Sequence, residues 1–276
     1  MGEFVMKKKY PRPQFTQGTV NRFGQSRIGD GLQVLNSNAR ILQPGEFTPQ
    51  RETMSPYFNQ DNLGLNSERL RSMMIERLRR EGIKDERVLN AMKQVPRHLF
   101  VDEGLASHAY ENAALPIGFQ QTISQPWIVA RMIALACQER IPHKILEIGA
   151  GCGYQAAVLA QLVPQVYAIE RIQGLYEMAL GNIQHAPHAE RIHLHYGDGL
   201  KGLPEQAPFP AILVAAAGMD LPKELLKQLS IGGRLIAPLG QDEQYLVLIE
   251  RTGTDSWNRK LLEPVRFVPL RAGIQP

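Results

Sequence analysis

The stretch Lys144-Ile145-Leu146-Glu147-Ile148-Gly149-Ala150-Gly151-Cys152-Gly153-Tyr154 reads as a short apolar strand, a glycine-rich turn and the start of a helix. Tyr154–Val163 continues as a helix, Val166–Ile169 is a second strand, and Glu170 ends it. In an open parallel sheet, ligands bind beyond the carboxyl ends of the strands. A turn there must let backbone approach a ligand closely, which glycine permits because it has no Cβ. The helix that follows offers free N–H groups. Glu170 stands 21 residues beyond Gly149, where doubly wound nucleotide-binding folds place a carboxylate against ribose hydroxyls. Dinucleotide sites use G-x-G-x-x-G to bring a helix start to a pyrophosphate. This chain has G-x-G-x-G preceded by Glu147, whose charge repels pyrophosphate and suits a cationic ligand.

Working outward, the alternation continues: helix Ile172–Gln184, strand Ile192–Tyr196, strand Ala211–Ala216, helix Pro222–Leu229, then strands Arg234–Pro238, Tyr245–Glu250 and Val265–Val268. Strands spaced by helices predict an α/β fold, a doubly wound, mostly parallel sheet of Rossmann-like form whose C-terminal strands run antiparallel. Upstream, Ser67 to Leu78 and Asp85 to Val95 carry apolar residues at helical spacing, with stops at Gly82 and Pro96. These two helices are expected to cap one end of the sheet.

Residues 1–62 are rich in Gly, Pro, Asn, Gln and Arg without a sustained period and read as a disordered basic extension. The domain proper is 63–276, with 63–125 the helical cap and acceptor segment and 126–276 the cofactor-binding sheet. The formal charge is +4, and residues 1–60, with eight basic and four acidic residues, account for all of it. The balanced remainder argues against nucleic acid as a partner. No apolar run spans a bilayer, and no signal peptide follows Lys7-Lys8-Lys9, so membrane association and export are not expected. Cys137 and Cys152 are too few for a disulfide framework or a metal site, so a reducing, cytoplasmic setting and no metal are expected.

The Glu-x-Gly-x-Gly-x-Gly string resembles the first motif of class I methyltransferases, which implies S-adenosyl-L-methionine as cofactor. Gly197-Asp198-Gly199 fits the same class, in which an acid at this place meets the adenine amino group. More specific is Ala114-Leu115-Pro116-Ile117-Gly118-Phe119-Gln120-Gln121-Thr122-Ile123-Ser124-Gln125-Pro126, which resembles the signature of protein-L-isoaspartate O-methyltransferases. Val95-Pro96-Arg97-His98 and Arg266-Phe267-Val268-Pro269-Leu270 extend the likeness, which runs over roughly residues 66–273.

The resemblance implies a monomeric protein-repair enzyme that methylates the free carboxylate of isoaspartyl residues in peptides and proteins, initiating collapse to a succinimide. Ser124 would hold that carboxylate beside the methyl donor, helped by Thr122 and Ile123, with Val268 flanking the peptide by strand-like hydrogen bonds. Glu147, Gly149, Gly151, Gly153, Glu170, Asp198 and Gly199 would hold the cofactor. Ser124 could instead only cap the helix beginning near Pro126. A class I methyltransferase for another acceptor, such as RNA or a small molecule, shares the glycine motif but leaves Thr122–Pro126 unexplained. A non-catalytic protein with a basic interaction tail is the reading from another class. The chain departs from the family at Pro210, where relatives have Asp, at Cys152, at Trp127, and at Ala215, where a hydroxyl is usual.

Overall fold

The computed structural model describes residues 64–276. The proposed disorder of residues 1–62 lies outside the described residues. In chain order the elements are α1 (Gly64–Arg80), α2 (Glu86–Gln94), β1 (Leu115–Pro116), β2 (Thr122–Ile123), α3 (Pro126–Cys137), β3 (Lys144–Ile148), α4 (Tyr154–Ala160), β4 (Gln165–Glu170), α5 (Gln173–Ile183), β5 (Ile192–Tyr196), β6 (Phe209–Val214), α6 (Lys223–Gln228), β7 (Leu229–Gly240), β8 (Gln244–Gly253) and β9 (Ser256–Val265).

Seven strands form one sheet in the order β5-β4-β3-β6-β7-β8-β9. Neighbours from β5 to β7 run parallel, and β8 runs antiparallel to both β7 and β9. Successive residues of the inner strands enter opposite cores, which is why they read as unbroken apolar runs. Ile145, Ala168, Leu213 and Ile236 join α1–α4 on one face. Leu146, Ile169, Ile212 and Leu235 meet Leu225 of α6 on the other.

Each terminus of α2 follows from its sequence. The Asp85 side chain accepts from the Arg87 N–H, and Val88, Leu89 and Met92 bury the inward face. The first two helices pack on α3, and α2 also packs on α4. They therefore form a helical cap packed over α3 and α4.

The final strand lies elsewhere than the sequence reading put it. The final strand is Ser256–Val265, ending where Val265–Val268 was expected to begin. Its polar Asn258, Arg259 and Lys260 hid it, because an edge strand can face water. Those side chains and Pro264 are exposed along the β9 edge, and Arg131 of α3 pairs with Glu263 at 2.6 Å. At Pro210 the register between β6 and β7 shifts between Phe209 and Ala211. A bulge tolerates the absent N–H of proline, so this departure leaves the rest of the strand paired.

Candidate active site

All three glycines after β3 have positive φ: +87° at Gly149, +57° at Gly151 and +86° at Gly153. A side chain there is strained whatever space surrounds it. The loop is fastened to β4, since the N–H groups of Gly149 and Ala150 both donate to the Ile169 carbonyl at 2.9 and 3.0 Å. Gly153 is demanded by packing as well. A Cβ there would stand 2.9 Å from Cγ1 of Ile183 in α5.

Two adjoining clefts open at the carboxyl ends of the strands and share Ile117, Thr122, Gly149, Gly151 and Ala215. The smaller, about 370 Å³, is lined also by Ile123, Ser124, Glu147, Cys152, Tyr154 and Gln155. The larger, about 630 Å³, is lined by Glu170, Arg171, Ile172, Gly199 and Val268–Arg271. Nine of the residues singled out from sequence thus meet in one groove: Thr122, Ile123, Ser124, Glu147, Gly149, Gly151, Glu170, Gly199 and Val268. Gly153 and Asp198 line neither cleft.

Glu147 is 1% exposed. Its Oε1 accepts from Gln155 Nε2 at 3.0 Å, and its Oε2 has no partner. Burial above all raises its carboxyl, the Gln155 bond opposes this and the nearby charge of Glu170 adds to it, for a net rise to about 8. A buried carboxylate oxygen without a donor, on a residue that lines the cleft, fits a ligand carrying an ammonium or sulfonium. The residues present therefore fit S-adenosylmethionine.

Glu170 is also buried, yet its oxygens are occupied by backbone. Oε2 accepts from the Gly151 N–H at 2.9 Å, and Oε1 accepts from Arg171 and Ile172 at 2.8 and 2.9 Å. Burial raises its carboxyl, opposed by these three bonds. A carboxylate has about four acceptor positions, so roughly one remains for a ligand. The other work of Glu170 is to join the glycine loop to the start of α5. Asp198 is likewise engaged, accepting from the N–H groups of Leu200 and Gly273 at 3.0 and 2.9 Å.

Between β1 and β2 the chain makes a tight hairpin loop in which Gly118, Phe119 and Gln120 have φ of 86°, 52° and 58°. Its ends close through Ile117 N–H to Gln121 O at 3.0 Å and Gln121 N–H to Gly118 O at 2.8 Å. The Phe119 ring rests against α5 at Gly174, where a Cβ would collide with it. The hairpin carries Thr122 and Ser124 into the smaller cleft.

Ser124 is not the cap of α3. That place belongs to Gln125, which makes no side-chain capping bond. Pro126 has no N–H and the Trp127 N–H donates to Asn112 Oδ1 at 3.2 Å, so little of the α3 terminus is free for a ligand. The Ile123 side chain is buried and pairs in register with Leu115. The Val268 carbonyl accepts from Ala217 N–H at 2.8 Å, which leaves its N–H for any strand-like pairing with a peptide.

Sequence reading missed Ile117, Gln155 and Arg271 as lining residues. Gln155 had a local signal, being the second residue of the helix behind the glycine turn. Cys152 is buried with its thiol pushed up to about 11 by burial, which makes it a poor nucleophile. Among the described residues no cluster of His, Cys, Asp or Glu could hold a metal ion, and no helix is long and apolar enough to cross a membrane.

A protein-L-isoaspartate O-methyltransferase of Bordetella petrii is 61% identical over 253 residues, covering 92% of this chain and 93% of the relative. One from Bordetella parapertussis is 61% identical over 249 residues, covering 90% and 95%. Among solved structures, a protein-L-isoaspartate O-methyltransferase from Plasmodium falciparum in complex with S-adenosyl-L-homocysteine superposes with a TM-score of 0.65 at 25% identity, over 73% of this chain and 98% of that one. The profile of the protein-L-isoaspartate(D-aspartate) O-methyltransferase family matches residues 68–275, and the chain belongs to that family of S-adenosylmethionine-dependent enzymes.

Proposed function

We propose that this chain methylates the free carboxylate of L-isoaspartyl residues in damaged proteins, with Ser124 and Thr122 holding the acceptor and Glu147 the charged end of the cofactor. One observation carries the assignment of roles. The unpartnered Glu147 oxygen and the Ser124 and Thr122 side chains line the same 370 Å³ cleft, so a cation site and a donor set for an anion adjoin. Neither hydroxyl has a hydrogen-bond partner among the described residues.

When bound, S-adenosylmethionine would supply a sulfonium methyl group that passes in line to an anionic oxygen, with the neutral thioether S-adenosylhomocysteine as the leaving group. The chain's residues have little acid–base work to do, because a carboxylic acid of ordinary pKa near 4 is already ionised at neutral pH. They bind, orient and exclude water. The Ser124 and Thr122 hydroxyls donate to the acceptor carboxylate. Gln155 fixes one Glu147 oxygen so that the other faces the cleft. Gly149, Gly151 and Gly199 let backbone and the larger cleft approach the adenosyl part, and Glu170 offers one acceptor position to its ribose. Methylation leaves an ester that a neighbouring backbone nitrogen attacks to form the succinimide, the ester C–O bond breaking and methanol leaving with the amide proton.

In this reading residues 63–125 form the helical layer and acceptor segment, and 126–276 the cofactor-binding sheet. The enzyme works as a monomer in a reducing, cytoplasmic compartment. Its two buried unpaired thiols and the charged, proline-bearing β9 edge support that setting and state. The test is transfer of labelled methyl from S-adenosylmethionine to an isoaspartyl peptide beside its aspartyl twin. Labelling of only the isoaspartyl peptide is the expected result, and equal labelling of both would overturn the reading.

A further inference from the structure

The last residues described are tied to the loops that follow three of the parallel strands, β4, β5 and β6. Past β6, the Ala217 N–H donates to Val268 O and the Leu270 N–H to Ala217 O, both at 2.8 Å. Past β5, Asp198 Oδ2 accepts from the Gly273 N–H at 2.9 Å. Past β4, the Gln275 N–H donates to Arg171 O at 2.7 Å and the Gln173 N–H to Gln275 O at 2.8 Å. Arg171 adds a side-chain bond from Nε to Gly273 O at 2.8 Å. The segment thus runs along the carboxyl edge of the sheet, and its part Val268–Arg271 lines the larger cleft.

We propose that Val268–Gln275 is a strap that retains the cofactor, with Asp198 and Arg171 as its anchors, so that cofactor exchange requires the strap to detach. The proposal rests on the larger cleft taking the adenosyl part. It gives Asp198, which lines neither cleft, a positioning role through Gly273. Polar groups at ligand-binding edges are commonly spent on the ligand; here three loops spend theirs on the strap. Its outer residues are exposed and its hold consists of individual hydrogen bonds, the kind of segment that opens locally well below the free energy of global unfolding.

Gly273→Pro tests this directly. Proline removes the N–H that Asp198 accepts and cannot adopt the φ of +73° found at this position. The dissociation rate of S-adenosylhomocysteine, followed by stopped-flow competition, should rise about tenfold, the factor set by one charge-assisted hydrogen bond. An unchanged rate would overturn the strap. On the unaltered chain, hydrogen exchange at the amides of Leu270, Gly273 and Gln275 should slow when S-adenosylhomocysteine is added. Exchange that ignores the ligand would also overturn it, without requiring any variant to fold. Failure of the unaltered chain to bind S-adenosylhomocysteine would defeat the cofactor reading itself, and the strap with it.

Discussion

At the scale of single residues, Glu147 makes the sharpest prediction. Its carboxyl, raised to about 8 by burial, holds a proton near neutral pH, whereas a cationic ligand requires the ionised form. Cofactor binding at pH 7 should therefore release close to one proton, measurable by calorimetry in buffers of different ionisation enthalpy. Affinity should strengthen about tenfold per pH unit below 8 and level off above it. Because the folded-state value is raised above the ordinary 4.5, this residue's contribution to the stability of the ligand-free protein is lost as pH rises from about 4.5 to 8. Glu147→Gln should flatten that slope, abolish the proton release and weaken binding. Ser124→Ala should lower kcat/KM on an isoaspartyl peptide about 10- to 100-fold, the cost of a hydrogen bond to a charged group, with cofactor affinity unchanged. Full turnover in that variant would remove Ser124 from the acceptor site. That Glu147, Ser124 and Glu170 gather at the clefts was legible in the sequence, because they sit at motif positions. What each touches was not. The three backbone donors on Glu170 and the Gly273 donor on Asp198 come from segments 19 and 75 residues away at most, and no spacing rule announces them.

The element that rewards closest attention is the β1–β2 hairpin. Its loop needs three successive left-handed residues and supplies a glycine at only the first. A non-glycine residue there costs about 1–2 kcal/mol. Gln120→Gly should raise stability by up to about 1 kcal/mol, some relief being returned to the freer unfolded chain, and Gly118→Ala should lower it by about 1–2 kcal/mol. Thermal melting reads both, as shifts of about 2–4 °C per kcal/mol for a body of this size. Neither the hairpin nor the contact of Phe119 with Gly174 could be read from sequence, where the segment stood out only by its likeness to a family signature. Helices and inner strands were legible because burial on one stripe or both faces imposes period and composition. The outer strand β9 was not, since it obeys neither pattern along Asn258–Lys260.

For the whole molecule, alternation of strand and helix from residue 144 onward predicted the parallel sheet and its antiparallel end, and the strand order realises both. Among the described residues the sheet is open, so each outermost strand offers backbone groups that another chain could extend. On β9 that invitation is declined by Arg259, Lys260 and Pro264. Replacing Arg259 and Lys260 with valine should leave methyl transfer intact and make the protein associate as concentration rises, visible as growing particle size in light scattering. A double variant that stays monodisperse would show that the charges on β9 serve another purpose. With that outcome the polar residues that concealed the last strand from sequence reading have a colloidal role: keeping an enzyme that handles damaged chains from becoming a template for their aggregation.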